Sequence, residues 1–317
     1  MRVIGVSDFG GPEALREFDV DERHAGPGEV RIRVRAAAVN PTDTVARTGV
    51  YASRRGDTGS PQVPGMDAAG DIDEIGPGGS TVGDFAVGDA VMASVVPTGA
   101  HGAYSEHLVV PAESVARIPA GAGYAAASTL PMNGLTARLA LDRTALEPGA
   151  ALAVTGAAGA FGGYVVELAK AEGLRVIADA AEKDEQLVRD LGADVVVRRG
   201  DDVAARILEA EPGGVDAVAD GAVHDDLVSP AVRDGGRMAT VRGFKGDEQA
   251  LQRGVVFHPV LVVDYHREQA KLDGLRKQAE DGVLSLRVAR TFPADQAAEA
   301  HRLLEAGGVR GRLVLEF

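Results

Sequence analysis

The sequence predicts an α/β protein: a β-rich first part, then a doubly wound parallel sheet. Three observations carry this. Residues 30–36 alternate apolar and charged side chains with a period of two. Beyond Pro119, short apolar runs alternate with helical patterns. A glycine-rich turn joins one of those runs to the helix that follows it.

Taken in order, residues 30–36, 91–96 and 107–110 read as strands of the first part, bounded by glycine and proline. The second part alternates regularly. Residues 151–155 form a strand, 161–172 a helix, 174–178 a strand, 185–191 a helix and 194–197 a strand. A helix over 203–210 and strands over 215–219 and 237–241 follow. Unbroken apolar strands between helices indicate a parallel sheet covered on both faces. The last stretch has helices over 269–280 and 294–305, a strand near 286–289 and a terminal strand over 312–316.

Composition narrows the function. A chain of 317 residues, 45% hydrophobic and 25% charged, is long enough for two domains with substantial cores. Acidic residues number 47 against 33 basic ones, a formal net charge of −14. That balance argues against a nucleic-acid partner, which needs a basic surface, and against a membrane partner reached through a polybasic patch. The absence of cysteine excludes disulfides, thiol catalysis and thiolate zinc sites. With no targeting segment and no run of about 20 apolar residues, the expected location is cytoplasmic.

The most informative motif is Thr155-Gly156-Ala157-Ala158-Gly159-Ala160-Phe161-Gly162-Gly163. It follows a strand and opens a helix, where backbone N–H groups and the helix dipole receive a pyrophosphate. Side chains at Gly159 or Gly162 would obstruct the ligand or the helix–strand contact. Asp179 ends the next strand, where a carboxylate can accept ribose hydroxyls. Candidate cofactor contacts in the turn are therefore Gly156, Ala158, Gly159, Ala160, Phe161 and Gly162, with Asp179 beyond it.

Several further segments carry a family resemblance: Ala37-Ala38-Val39-Asn40-Pro41-Thr42-Asp43, Val63-Pro64-Gly65-Met66-Asp67-Ala68-Ala69-Gly70, Gly102-Ala103-Tyr104-Ser105-Glu106, Leu191-Gly192-Ala193-Asp194 and Gly311-Arg312-Leu313-Val314-Leu315. With the glycine turn, they make residues 30–317 resemble a medium-chain dehydrogenase/reductase of the zinc-free quinone oxidoreductase (zeta-crystallin-like) branch. The resemblance implies a GroES-like catalytic domain begun by residues 1–118, a Rossmann NAD(P)-binding domain over 119–256, and a segment over 257–317 completing the first domain. It places the active site between the two domains.

The resemblance also implies the chemistry. Zinc-dependent relatives carry a cysteine where this chain has Asn40 and a histidine where it has Met66. Without a Lewis acid, hydride transfer suits acceptors already electron-poor, quinones and α,β-unsaturated carbonyls. Asn40 and Tyr51 are placed beside the nicotinamide. Asn40 is either an amide donor to an oxyanion or ribose, or a turn residue before Pro41. Tyr51 is either a proton donor or an aromatic wall for the substrate. Thr136 is placed at the nicotinamide or its ribose, or is an ordinary helix-start threonine, and Asn133 near it is expected to face the cleft. Arg242 and Arg312 are candidate contacts to cofactor phosphate or ribose, with a solvated role as the default. Asp43 is expected to fix local backbone.

Two alternatives stand beside the quinone or enone reductase: an enoyl reductase of natural-product biosynthesis, and a non-catalytic crystallin-like nucleotide-binding protein. The expected cofactor is NADPH, with NADH close behind. Lys183 suits a 2′-phosphate, whereas Asp179 and the acids Glu182, Asp184 and Glu185 oppose one. No metal is expected. The expected partners are a small-molecule acceptor and a second copy of the chain, paired through edge strands.

Overall fold

A computed structural model describes residues 1–50, 61–78 and 84–317. The chain divides into two compact units. One comprises Met1–Met132, His266–Asp281 and Leu286–Phe317; the other comprises Asn133–Tyr265 and Gly282–Ser285.

The first unit opens with an antiparallel pair, β1 (Arg2–Gly5) and β2 (Arg16–Asp19). Then come β3 (Glu29–Val39), helix α1 (Pro41–Arg47), β4 (Asp67–Ile75), β5 (Ala90–Ser94), β6 (His107–Pro111), β7 (Val115–Arg117) and helix α2 (Tyr124–Ala127). In β3, Val30, Ile32 and Val34 are buried, while Arg31 and Arg35 face outward and pair with Asp73 and Asp71 of β4, each at 2.9 Å. The alternation read from the sequence is this division between core and solvent. Past Arg35 the strand narrows to Ala36-Ala37-Ala38-Val39, buried on both faces.

Helix α3 (Pro131–Thr144) leads into the second unit, whose sheet is wholly parallel. Its strands are β8 (Ala151–Thr155), β9 (Arg175–Ala180), β10 (Val195–Arg198), β11 (Val215–Asp220), β12 (Val232–Thr240) and β13 (Val256–Pro259), in the order β10-β9-β8-β11-β12-β13. Helices α4 (Ala160–Ala171), α5 (Glu185–Asp190), α6 (Val203–Ala210) and α7 (Glu248–Gln252) connect them. The order reverses at β8, the topological switch point where such sheets bind ligands beyond their strand ends.

The chain then returns to the first unit through α8 (Gln269–Glu280), β14 (Val288–Pro293), α9 (Ala297–Ala306) and β15 (Arg312–Glu316). Strand β15 pairs in parallel with β14 and antiparallel with β3, giving the sheet order β14-β15-β3-β4-β5-β7, with β6 also on β3.

Some boundaries differ from the sequence reading. Strand β12 begins at Val232, five residues earlier than expected, because its start runs through Gly235-Gly236 beside a register shift. The strand expected near 286–289 lies at Val288–Pro293. Strand β13 has no strong periodic signal; it is short, at the sheet edge, and ends in proline, which an edge tolerates.

Candidate active site

The glycine turn leaves β8 at Gly156, whose φ of +66° favours glycine, and enters α4 at Gly159. A Cβ at Gly162 would lie 2.4 Å from the Gly156 carbonyl oxygen and 2.8 Å from the Ala157 Cα. Both atoms are backbone, so only glycine lets the helix approach the strand this closely. At Gly159 the same oxygen would be 3.0 Å away, a milder conflict. Gly159, Ala160 and Phe161 are half-buried rather than sealed. The first-turn N–H groups of α4 have no acceptor within the helix. The residues present therefore fit a dinucleotide phosphate.

Asp179 faces into this turn. Its Oδ1 accepts the Gly156 N–H at 2.7 Å and the Ala157 N–H at 3.3 Å, and the residue is 4% exposed. Burial raises its pKa, against the lowering effect of those two donors. Through Oδ1 the carboxylate holds the turn in shape.

A second acid braces the neighbouring loop. Asp220, at the end of β11, accepts Thr155 Oγ1 at 2.5 Å and the backbone N–H groups of His224 and Asp225 at 3.1 and 2.8 Å. The loop it holds carries two non-glycine residues in the left-handed region, Val223 at φ +58° and Asp225 at φ +51°. For a β-branched residue that conformation is strained, and it borders the turn: a Cβ on Gly156 would lie 3.0 Å from the Gly221 carbonyl carbon.

Beyond Asp179 the ends of β9 and β10 carry basic residues. Lys183 and Arg199 are exposed, and the Arg199 charge acts on Asp179, lowering its pKa. Arg198 is paired with Glu182 at 3.0 Å. Arg242 is exposed just past β12, and Asn133 and Thr136 are buried on α3, 6% and 7% exposed.

The first unit holds a buried polar cluster around Asn40, itself fully buried. Its Nδ2 donates to Asp67 Oδ2 at 2.8 Å and to the Ala38 carbonyl at 3.3 Å, and its Oδ1 accepts from Arg312. Both amide protons and the carbonyl are thus engaged by protein. Arg312 also donates to the Val39 carbonyl at 2.5 Å. This arginine, expected at cofactor phosphate or ribose, is 5% exposed in the first unit, where its charge acts on the buried Asp43 and Asp67. Asp43 accepts the Asn40 N–H at 2.8 Å and the Gly65 N–H at 3.0 Å, tying two turns together. Asp67 accepts the Met132 N–H at 2.6 Å. Burial pushes both carboxyls up to about 6, although Arg312 beside them acts to lower both.

Tyr51 lies outside the described residues. Sequence reasoning missed Asp67 and Asp220, each one acid among 47, with nothing local to mark it. Asp67 does sit inside a segment that carried the resemblance, the one available signal.

Comparison with known proteins agrees with this architecture. Residues 26–120 match the alcohol dehydrogenase GroES-like domain, and residues 191–315 match the zinc-binding dehydrogenase family. A quinone oxidoreductase of Pseudomonas aeruginosa is 30% identical, covering 98% of each chain. The chain belongs to the quinone oxidoreductase branch of the medium-chain dehydrogenases/reductases. A 2-haloacrylate reductase from a Burkholderia species is 30% identical over 96% of each chain. Among solved structures, a mycobacterial protein in complex with NADPH is 28% identical over the whole of both chains, with a TM-score of 0.88.

Membership in the medium-chain dehydrogenases/reductases raises the question of zinc, which one matching family carries in its description. Among the described residues no group of three or more His, Asp or Glu converges as a metal site. At the two positions where zinc-dependent members of the superfamily hold metal stand Asn40, whose amide is spent on neighbours, and Met66, a soft thioether. These residues do not fit zinc.

Proposed function

We propose that this oxidoreductase uses NADPH to reduce quinones and alkenes conjugated to a carbonyl, without a metal. The observation that carries the cofactor reading is the orientation of Asp179. Two backbone N–H groups hold its carboxylate in the glycine turn. The acid that would repel a 2′-phosphate is thus turned away, while Lys183 and Arg199 stay exposed at the adjoining strand ends. The NADPH complex of the mycobacterial relative supports the same reading.

Bound NADPH supplies a hydride from its nicotinamide C4. The protein's part is to bind, orient and provide a proton. The α4 N–H groups and the glycine turn take the pyrophosphate, Asn133 and Thr136 adjoin the nicotinamide ribose, and Arg242 is a further contact. Tyr51 or solvent delivers the proton that completes the reduced acceptor. Asn40, with its amide saturated, shapes the site rather than donating to the acceptor.

The relatives named as reducing quinones and 2-haloacrylate point to acceptors in which a double bond is already polarised. A panel of quinones and enones, assayed with NADPH and NADH, tests the reading directly. Turnover with NADPH and an electron-poor acceptor is the expected result; binding without turnover of any acceptor would overturn it.

The same reading includes a homodimer formed through β13. Among the described residues that strand pairs only with β12, and Leu251, Val256, Leu261 and Val263 around it are 46–55% exposed. A second copy would cover these side chains and complete the edge. Sedimentation should find a dimer at micromolar concentration, and a monomer there would contradict the pairing.

A further inference from the structure

A continuous hydrogen-bonded chain runs from the surface of α9 to Asp43, all within the first unit. Glu305, whose side chain is 38% exposed, accepts from Arg47 Nη2 at 2.6 Å. Arg47 is 2% exposed, and its Nη1 lies 3.2 Å from Nδ1 of His301. His301 Nε2 lies 3.1 Å from the Tyr104 hydroxyl, which in turn is 3.4 Å from Asp43 Oδ2. His301 and Tyr104 are fully buried and meet edge-to-face, with ring centroids 5.8 Å apart.

The donor inventory gives the chain a direction. A guanidinium has no acceptor, so Arg47 must donate, and His301 Nδ1 must accept. The imidazole proton therefore sits on Nε2 and points at the Tyr104 oxygen. The Tyr104 proton is thereby left for Asp43. Burial, with the Arg47 charge beside it, holds the His301 pKa down to about 3, so the ring stays neutral and this order is kept. Asp43 is where the chain ends and where the Asn40 and Gly65 turns are joined. The Tyr104 ring also fills the space beneath Gly65, where a Cβ would come within 2.7 Å of Tyr104 Cδ1.

We propose that His301 is a positioning residue of the reductase: it acts through Tyr104 and Asp43 to hold the Asn40 and Gly65 turns in register. This rests on the reading of the chain as a reductase. The role is not visible in the local sequence, where His301 is one polar residue on an amphipathic helix some 250 residues from the turns it serves.

The test uses three variants of the full-length protein. H301Q keeps an acceptor for Arg47 and a donor for Tyr104 on one planar group, H301L removes both, and Y104F removes only the hydroxyl. Hydrogen exchange at the Asn40 and Gly65 amides is read alongside NADPH binding and turnover of an accepted quinone or enone. H301L and Y104F should speed exchange at these two amides at least tenfold and lower kcat at least tenfold. Protection in β8 and the Kd for NADPH should stay within twofold. H301Q should recover to within threefold of wild type. Unchanged exchange at Asn40 and Gly65 in folded H301L or Y104F would overturn the proposal, as would an H301Q as impaired as H301L. If H301L does not fold, Y104F and H301Q decide by the same measures. Should the wild type turn over no acceptor, the reductase reading fails, while the exchange data still decide what His301 holds.

Discussion

The Asp179 carboxylate accepts the Gly156 N–H at 2.7 Å. An acid at the end of the second strand of a dinucleotide fold is ordinarily read as a ribose ligand, and hence as a mark of NADH. Here the side chain faces the glycine turn, its Oδ1 held by the Gly156 and Ala157 N–H groups. At that corner Lys183 and Arg199 are exposed, and Glu182 is paired with Arg198 at 3.0 Å.

Lys183→Ala and Arg199→Ala should each raise the KM for NADPH about tenfold, the scale of one charge-assisted hydrogen bond to phosphate. The KM for NADH should change less than twofold. Equal effects on both cofactors would show that the 2′-phosphate is not held there.

The two turn glycines should behave differently. Gly162→Ala sets a Cβ 2.4 Å from backbone, so it should abolish measurable NADPH binding or lower the melting temperature by several degrees. Gly159→Ala meets the same oxygen at 3.0 Å and should cost roughly tenfold in affinity in a normally folded protein. Fluorescence titration with thermal melts distinguishes the two, and identical behaviour would mean helix approach is not what these glycines serve.

Tyr51→Phe removes a hydroxyl and little else. If Tyr51 is the proton donor, kcat should fall 10²-fold or more at unchanged NADPH affinity, within the usual span of general acid catalysis. An unaltered kcat would leave solvent as the proton source.

Asp67 and His301 pull stability in opposite directions with pH. Asp67 titrates near 6 in the fold and near 3.8 when unfolded, so between those values the folded chain holds the extra proton. Its contribution is therefore fully present below about pH 4 and lost as pH rises to 6. His301 titrates near 3 folded and 6.5 unfolded, so its contribution is present above 6.5 and lost on acidification. Relative to wild type, Asp67→Asn should gain stability as pH rises from 4 to 6, and His301→Gln should gain it as pH falls from 6.5 to 3. Each slope approaches about 1.4 kcal/mol per pH unit in denaturant titrations. Slopes of the reverse sign would mean the groups titrate otherwise.

Activity should survive exhaustive chelation, and elemental analysis should find no stoichiometric zinc. A zinc ion on which turnover depends would contradict the reading of Asn40 and Met66.

How much of this was legible in the sequence depended on whether the signal was local. The glycine turn is a contiguous strand–turn–helix unit, so its residues and its fit to a phosphate could be read directly. The direction of Asp179 could not, because a shift of one residue along a strand reverses which face a side chain takes. Resemblance singled out Asn40, but the saturation of its amide depends on Ala38, Asp67 and Arg312, the last 272 residues away. Arg47 and His301 were the least legible: nothing local marks the first, and the second reads as a polar residue on the helix over 294–305. Only the return of α9 and β15 to the first sheet brings them together.

That return also sets the order in which the chain can finish folding. The six strands of the second unit's sheet are made by Pro259, whereas β15, lodged between β14 and β3, follows more than fifty residues later. During synthesis the middle of the chain can therefore close into a finished body while the earlier-made β3 still shows an unpaired flank. The nascent protein is exposed to mispairing along Ala36–Val39 until β15 emerges. A chain stopped after Gly311 should keep hydrogen-exchange protection in β8 and β11 and lose it along β3. Protection persisting in β3 would mean that its sheet closes without the C-terminal strand.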